Sequence, residues 1–358
     1  MVQMAQFECR FGIWEKYLSI WVFIFILVGI AVGRLLPDLS SMLGQLSYAY
    51  VNAPIAICLF AMIFPIMVQI DFKEVVRAGK TPKPIAATLF VNWAIKPFTM
   101  ALLGWLFLKV IFSPLIGSEL AAHYTYGLIL LGVAPCTAMV LVWSYLARGN
   151  MGHTLVMVAI NSLTMVALYA PLAVFLLGIS GITIPWDTVA FAVTIYIVLP
   201  LIAGYFTRRY AIAKRGAEWL KCSLTPKLGK ASIIALLITL ILLFATQGYV
   251  IVDQPLVIVL IAIPIFVNIL IVFLISYGIS KIIGLTYEDA APTALIGGSN
   301  HFEVAIAVAI TLFGLGSGAA LSTVVGVLTE VPFMLFLVWV CKRTSWIFKI
   351  NSSEIGSD

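Results

Sequence analysis

Charge is what this sequence has least of. Of its 358 residues only 10% are Asp, Glu, Lys or Arg, while 63% are hydrophobic. Mean hydropathy is +1.12. A soluble globular chain runs at roughly 45–50% apolar and about 25% charged. The shortfall excludes an ordinary soluble enzyme, a nucleic-acid binder and a disordered chain. Histidine is scarce, with three residues, and the five cysteines (9, 58, 136, 222 and 341) form no CxxC pair. Neither a disulfide framework nor a zinc knuckle is expected. HExxH, DDxxD and phosphate-cradling glycine loops are missing. No charged n-region with a short apolar core opens the chain, so no removable signal peptide is expected.

Long apolar runs are what the chain has instead. A bilayer core needs about 20 mostly apolar residues per helix. Ten stretches qualify, near 17–36, 51–70, 85–108, 125–146, 154–178, 188–207, 231–248, 256–280, 290–314 and 318–341. Connections are short apart from a basic loop near 208–230. The expected class is an all-α polytopic membrane protein forming a single transmembrane domain over 1–358. The net charge of +6 then concerns topology rather than nucleic acid. Eighteen of the 21 Lys and Arg fall in the tails and in the loops after even-numbered spans. Two, Arg34 and Lys109, fall on the other side, and Lys96 lies inside span three. That asymmetry predicts cytoplasmic termini.

Ten spans divide into five plus five. An odd-numbered half, repeated, inserts in the opposite sense, as in many secondary transporters. The repeats would cover about 17–178 and 188–341. Helix breakers support this division. Span four carries Gly132-Val133-Ala134-Pro135-Cys136-Thr137, and span nine carries Gly297-Gly298-Ser299-Asn300. These are the fourth helices of the two halves. Broken backbone at membrane depth is tolerated only inside protein or beside a water-filled cavity. Paired breaks at matching positions point to a transport site.

Ionisable groups within spans are expensive and read as functional by default. Three are charged, Lys96, Glu303 and Glu330, and His301 joins them. Glu330 has no basic residue within a helical turn and precedes Pro332 closely. A desolvated carboxyl can carry a proton at near-neutral pH. Cys136 lies at the break of span four, ahead of the positive end of a half-helix. Soft sulfur suits thiophilic solutes, although a free Cys is often only a small buried hydrophobe. Lys96, with Asn92, Trp93 and Pro97, would neutralise a carboxylate or anchor the core. Asn161 lies in span five, the counterpart of span ten. Interhelical hydrogen bonding accounts for Asn52, Asn92 and Asn268. Glu303 would pair with Lys96 or line the site. The string Gly178-Ile179-Ser180-Gly181 has the form of an intramembrane serine protease motif. No histidine lies at the depth of its serine, so no enzyme is expected.

The most specific strings are Ala134-Pro135-Cys136-Thr137-Ala138-Met139-Val140 with Val142-Trp143-Ser144, then Ile184-Pro185-Trp186-Asp187-Thr188. Later come Ala294-Leu295-Ile296-Gly297-Gly298-Ser299-Asn300 and Gly318-Ala319-Ala320-Leu321 leading to Glu330-Val331-Pro332. In these strings, and in Asn92-Trp93 and Lys96-Pro97-Phe98, the chain resembles the arsenite-efflux permeases of the arsenical-resistance type. These lie within the bile acid–sodium symporter superfamily. The resemblance runs from Tyr17 to about Val340. It implies ten helices, broken and crossing helices four and nine, and export of trivalent arsenic in exchange for protons. The family's required cysteine falls on Cys136 and its essential membrane glutamate on Glu330. Two departures stand out: Ser162 where an Asp is frequent after the span-five Asn, and His301 where Phe is common.

The resemblance implies a substrate of arsenite or antimonite, met by Cys136 as the arsenic(III) ligand. Ser299 and Asn300 would assist through hydrogen bonds, and Glu330 would couple protons. Lys96, Asn161 and Glu303 would support the site. It also implies a cell (inner) membrane with both termini cytoplasmic, no cofactor, no nucleic acid and no required ATPase subunit. The alternatives are a sodium-coupled organic-anion symporter, with Asn300, Glu303 and Thr137 as oxygen ligands, and a metalloid channel.

Overall fold

The computed structural model describes residues 18–36, 42, 47–48, 51–71, 82–137 and 139–348. Apart from an antiparallel pair of two-residue strands, Ser47–Tyr48 with Val51–Asn52, the regular structure is helical. The helices are α1 (Leu18–Leu35), α2 (Ala53–Gln69), α3 (Pro82–Ile111), α4 (Ser118–Val133), α5 (Met139–Leu146), α6 (Met151–Ile179) and α7 (Trp186–Val193). Next are α8 (Leu199–Trp219), α9 (Thr225–Asp253), α10 (Pro255–Ile282), α11 (Tyr287–Gly298), α12 (Phe302–Phe313) and α13 (Gly318–Arg343). By length and composition five helical stretches can cross a bilayer: α3, α6, α10, α13 and the run Trp186–Gly248. Ile20–Leu35, Ala53–Gln69 and Phe302–Phe313 are shorter and apolar. These helices make the chain a multi-pass membrane protein.

Contacts divide the chain into two units, each drawn from two separate stretches. One holds 1–70 and 198–249, the other 71–197 and 250–358. In the first, α2 packs on α8. Arg208 donates from Nη1 to the carbonyls of Val68 and Gln69, both at 3.3 Å. A guanidinium there satisfies carbonyls that a helix end leaves unpaired. In the same unit α1 touches α9 at backbone distance, since a Cβ on Gly33 would overlap the Ala245 backbone.

The basic loop expected near 208–230 is helical. α8 runs on to Trp219, a π-turn covers Leu220–Leu224, and α9 starts at Thr225. Lys and Arg are good helix formers, and here their stems lie along aromatic neighbours on the same helix. Lys214 donates to the Tyr210 hydroxyl at 2.9 Å, and the Arg215 guanidinium lies 4.6 Å from the Trp219 ring. The interruption is Gly216, at φ 85° and ψ 166°, which only glycine adopts readily.

The second unit assembles α13 against α4, α10 and α12, and α3 against α4 and α10. Its seam is made of small residues. A Cβ on Gly127 of α4 would overlap Ser322 Oγ and the Ala319 carbonyl of α13. On α13, Gly326 admits Leu131 in the same way. Close backbone approach through small residues is how helices associate in lipid. Gly127→Val is therefore expected to destabilise the protein by about 1–3 kcal/mol or more, because backbone has to move. Gly178→Ala, with open space around it, is the matched control. Thermal unfolding in detergent checks this: the midpoint falls for Gly127→Val and holds or rises for the control.

Candidate functional site

Two helices of the second unit stop in mid-course. α4 ends at Val133, and Ala134 is extended at φ −96°, ψ 100°. The next residue, Pro135, has no N–H to continue a helix. α11 ends at Gly298, with Ser299 extended at φ −87°, ψ 150°, and α12 starts only after His301. The two gaps cross. Pro135 and Asn300 form an antiparallel bridge, and His301 N donates to Ala134 O at 2.9 Å. The breaks expected in the two spans are thus present and touch each other.

Every helix break strands backbone groups that need partners. The buried ionisable and amide side chains supply them. Lys96 Nζ donates to Ser299 O at 2.7 Å. A cation there faces the negative end of α11. Glu330, on α13, accepts through Oε1 from Ser299 Oγ at 2.5 Å and from Asn300 N at 3.1 Å. Its Oε2 accepts from Asn300 N and from Asn300 Nδ2, both at 3.2 Å. A carboxylate there faces the positive end of α12. Asn161 Nδ2, on α6, donates to Cys136 O at 3.1 Å and is held by Asn92 Nδ2 donating to Asn161 Oδ1 at 3.1 Å. Asn92 belongs to a π-turn, Val91–Ile95, directly before Lys96. A π-turn rotates the facing of the residues after it and is frequent at functional sites.

All seven candidate residues therefore meet in one unit. Cys136 is 1% exposed. Pro135, directly before it, bridges to Asn300, so the second break lies alongside. Lys96, for which the sequence left open neutralising a carboxylate or anchoring the core, bonds a backbone carbonyl at the crossing. Glu303, buried at the start of α12, has His301 beside it, with Nε2 to Oε2 at 3.7 Å. Asn300 is 1% and Glu330 4% exposed, so the crossing is closed to solvent. An open apolar groove of about 450 Å³ between α10 and α13 is lined by Val259, Ala262, Phe266, Leu328, Thr329 and Phe333 among others.

Other expectations resolve differently. Asn52 caps α2 by accepting from Ile55 N at 3.3 Å. Asn268 does bridge, accepting from Thr99 Oγ1 at 2.7 Å. Cys58 is half-buried, Cys222 exposed and Cys341 buried; Cys9 lies outside the described residues. Ser180 ends α6, where its carbonyl accepts from Lys109 Nζ at 2.6 Å. Sequence reasoning gave Asn92 only a hydrogen-bonding role; its place in the π-turn makes it the support of Asn161.

The model for the sodium bile acid symporter family matches residues 56–254. The chain belongs to that family. A transporter of Synechocystis sp. is 53% identical over 346 residues, covering 94% of this chain and 90% of that protein. Arsenical-resistance protein Acr3 of Alkaliphilus metalliredigens is 46% identical over 333 residues, covering 93% of each. Its namesake from Corynebacterium glutamicum is 33% identical over 339 residues, covering 92% of this chain and 89% of that protein. As a member of the sodium bile acid symporter family the chain is a transporter and not an enzyme.

Proposed function

We propose that this transporter exports trivalent arsenic, as arsenite and with antimonite as a close analogue, from the cytoplasm in exchange for protons. The supporting observation is the crossing that sets the Cys136 break against Asn300, with Ser299 and Asn300 both held by Glu330. The two arsenical-resistance relatives supply the cargo. Arsenite at neutral pH is the uncharged trihydroxide, so the membrane potential gives it no drive by itself. Exchange for a proton supplies one.

The thiol condenses with one arsenic hydroxyl, forming a sulfur–arsenic bond and releasing water; hydrolysis reverses this on the far side. One thiol gives an adduct weak enough to release. Glu330 takes a proton after release and returns it to the cytoplasm. Alternating access comes from rocking one bundle against the other. Ten spans in two inverted halves fit the way each unit draws on both halves of the chain. Both termini lie in the cytoplasm, and the membrane is the cell's inner one.

Everted membrane vesicles test this reading. Accumulation of arsenite that requires an imposed proton gradient supports it. Accumulation without any gradient indicates a channel. A sodium-coupled symporter is the second reading, favoured by the family's name and by the unpartnered oxygens Thr137 Oγ1 and Asn300 Oδ1. Accumulation driven by a sodium gradient would establish it instead.

A further inference from the structure

The breaks leave a buried imidazole without a hydrogen bond. His301 is 2% exposed, and neither of its ring nitrogens has a hydrogen-bond partner. It stands at the N-cap of α12 but makes no side-chain cap bond. Glu303 Oε2, at 3.7 Å, is beyond hydrogen-bond range. Even a shift that closed this gap would occupy one nitrogen and leave the other. Two further polar atoms of the breaks, Asn300 Oδ1 and Thr137 Oγ1, are also buried and unpartnered. Native proteins satisfy nearly all such atoms, so these side chains, brought together by the crossing of the two breaks, have hydrogen-bonding capacity for a polar solute.

The cluster has a definite chemistry. A neutral imidazole offers one donor and one acceptor, an amide oxygen accepts, and a hydroxyl does both. Together these fit a neutral polyhydroxy solute. His301 is tied to the Cys136 break by its own backbone, His301 N donating to Ala134 O at 2.9 Å, two residues ahead of the thiol. We propose that His301, with Asn300 and Thr137, reads the two hydroxyls that remain on arsenic after Cys136 has taken the third. The inference rests on the arsenite reading and narrows its substrate class to the trihydroxide, against methylated arsenicals.

The balance is simple. Cys136 and arsenic trihydroxide lose one water and leave an adduct with two hydroxyls. Cys136 and methylarsonous acid lose one water and leave one hydroxyl and one methyl. The methyl faces a polar atom that it cannot satisfy. Sites built to bond a hydroxyl reject analogues that lack it far more strongly than apolar pockets reject an added group.

The experiment is inhibition of arsenite accumulation by methylarsonous acid in everted vesicles, scored against unlabelled arsenite. Wild type should prefer arsenite by about tenfold or more. His301→Phe should bring that preference to within about threefold. His301→Gln, which keeps a donor and an acceptor, should preserve it. A residue that merely packs would change the amount of active carrier, not this ratio. Equal inhibition by both compounds in wild type overturns the inference whatever the variants do. An unchanged ratio in His301→Phe also overturns it. Loss of arsenite accumulation in wild type itself removes the underlying function reading, a distinguishable failure.

Discussion

Cys136→Ser is expected to reduce arsenite accumulation to that of vesicles without the transporter, while the protein stays folded. The replacement changes sulfur to oxygen at a side chain that is 1% exposed. Oxygen cannot replace a soft thiolate-type ligand for trivalent arsenic, because an alkoxide–arsenic link gains nothing over the hydroxyl it displaces. The fold should survive for a specific reason. The supporting bond at this position runs from Asn161 Nδ2 to the backbone carbonyl of Cys136, and serine keeps that carbonyl. Serine also keeps a donor and an acceptor beside Ser299. The same thermal midpoint in detergent, with accumulation at background, is the expected pair of results. Retained proton-driven accumulation in this variant would exclude the thiol as the cargo ligand.

Glu330→Gln has an effect as large, with a different profile. Glutamine matches the volume and offers one oxygen, enough for Ser299 Oγ or for Asn300. Its amide nitrogen is a donor, and the other partners here, Asn300 N and Asn300 Nδ2, are donors too. Two donors facing each other in a buried site cost about 1–3 kcal/mol. The variant should therefore unfold at a somewhat lower temperature and fail entirely at gradient-driven accumulation. Arsenite should still protect Cys136 from alkylation, since the thiol remains. Accumulation against the arsenite gradient with Glu330→Gln at the wild-type rate would assign proton coupling to another group.

How far the sequence carried these conclusions differs residue by residue. The breaks were legible because Pro135 and the pair Gly297-Gly298 are local signals, read without knowledge of any neighbour. Glu330 was legible because a lone carboxyl in an apolar run is costly. Its partners were not. Ser299 lies 203 positions from Lys96 and 31 from Glu330, and periodicity carries no information about contacts at such separations. For the same reason the sequence left Lys96 between neutralising a carboxylate and anchoring the core, and did not reveal its bond to the Ser299 carbonyl. Unwound helix creates its own acceptors, which composition does not reveal. The basic segment around Arg208 looked like a loop because charge suggests solvent, yet nothing in lysine or arginine opposes helix. The division into two units was invisible because each is assembled from distant stretches.

The small-residue seam between α4 and α13 has a consequence for coupling. Gly127 brings α4 to backbone distance from α13, and Gly326 receives the Leu131 side chain. One helix leads into the break that carries the sulfur; the other bears the carboxyl. Under the exchange proposed above, cargo and proton would then compete for the same hydroxyl and amide hydrogens of Ser299 and Asn300, and the exchange ratio would follow from a count of donors rather than from a lever.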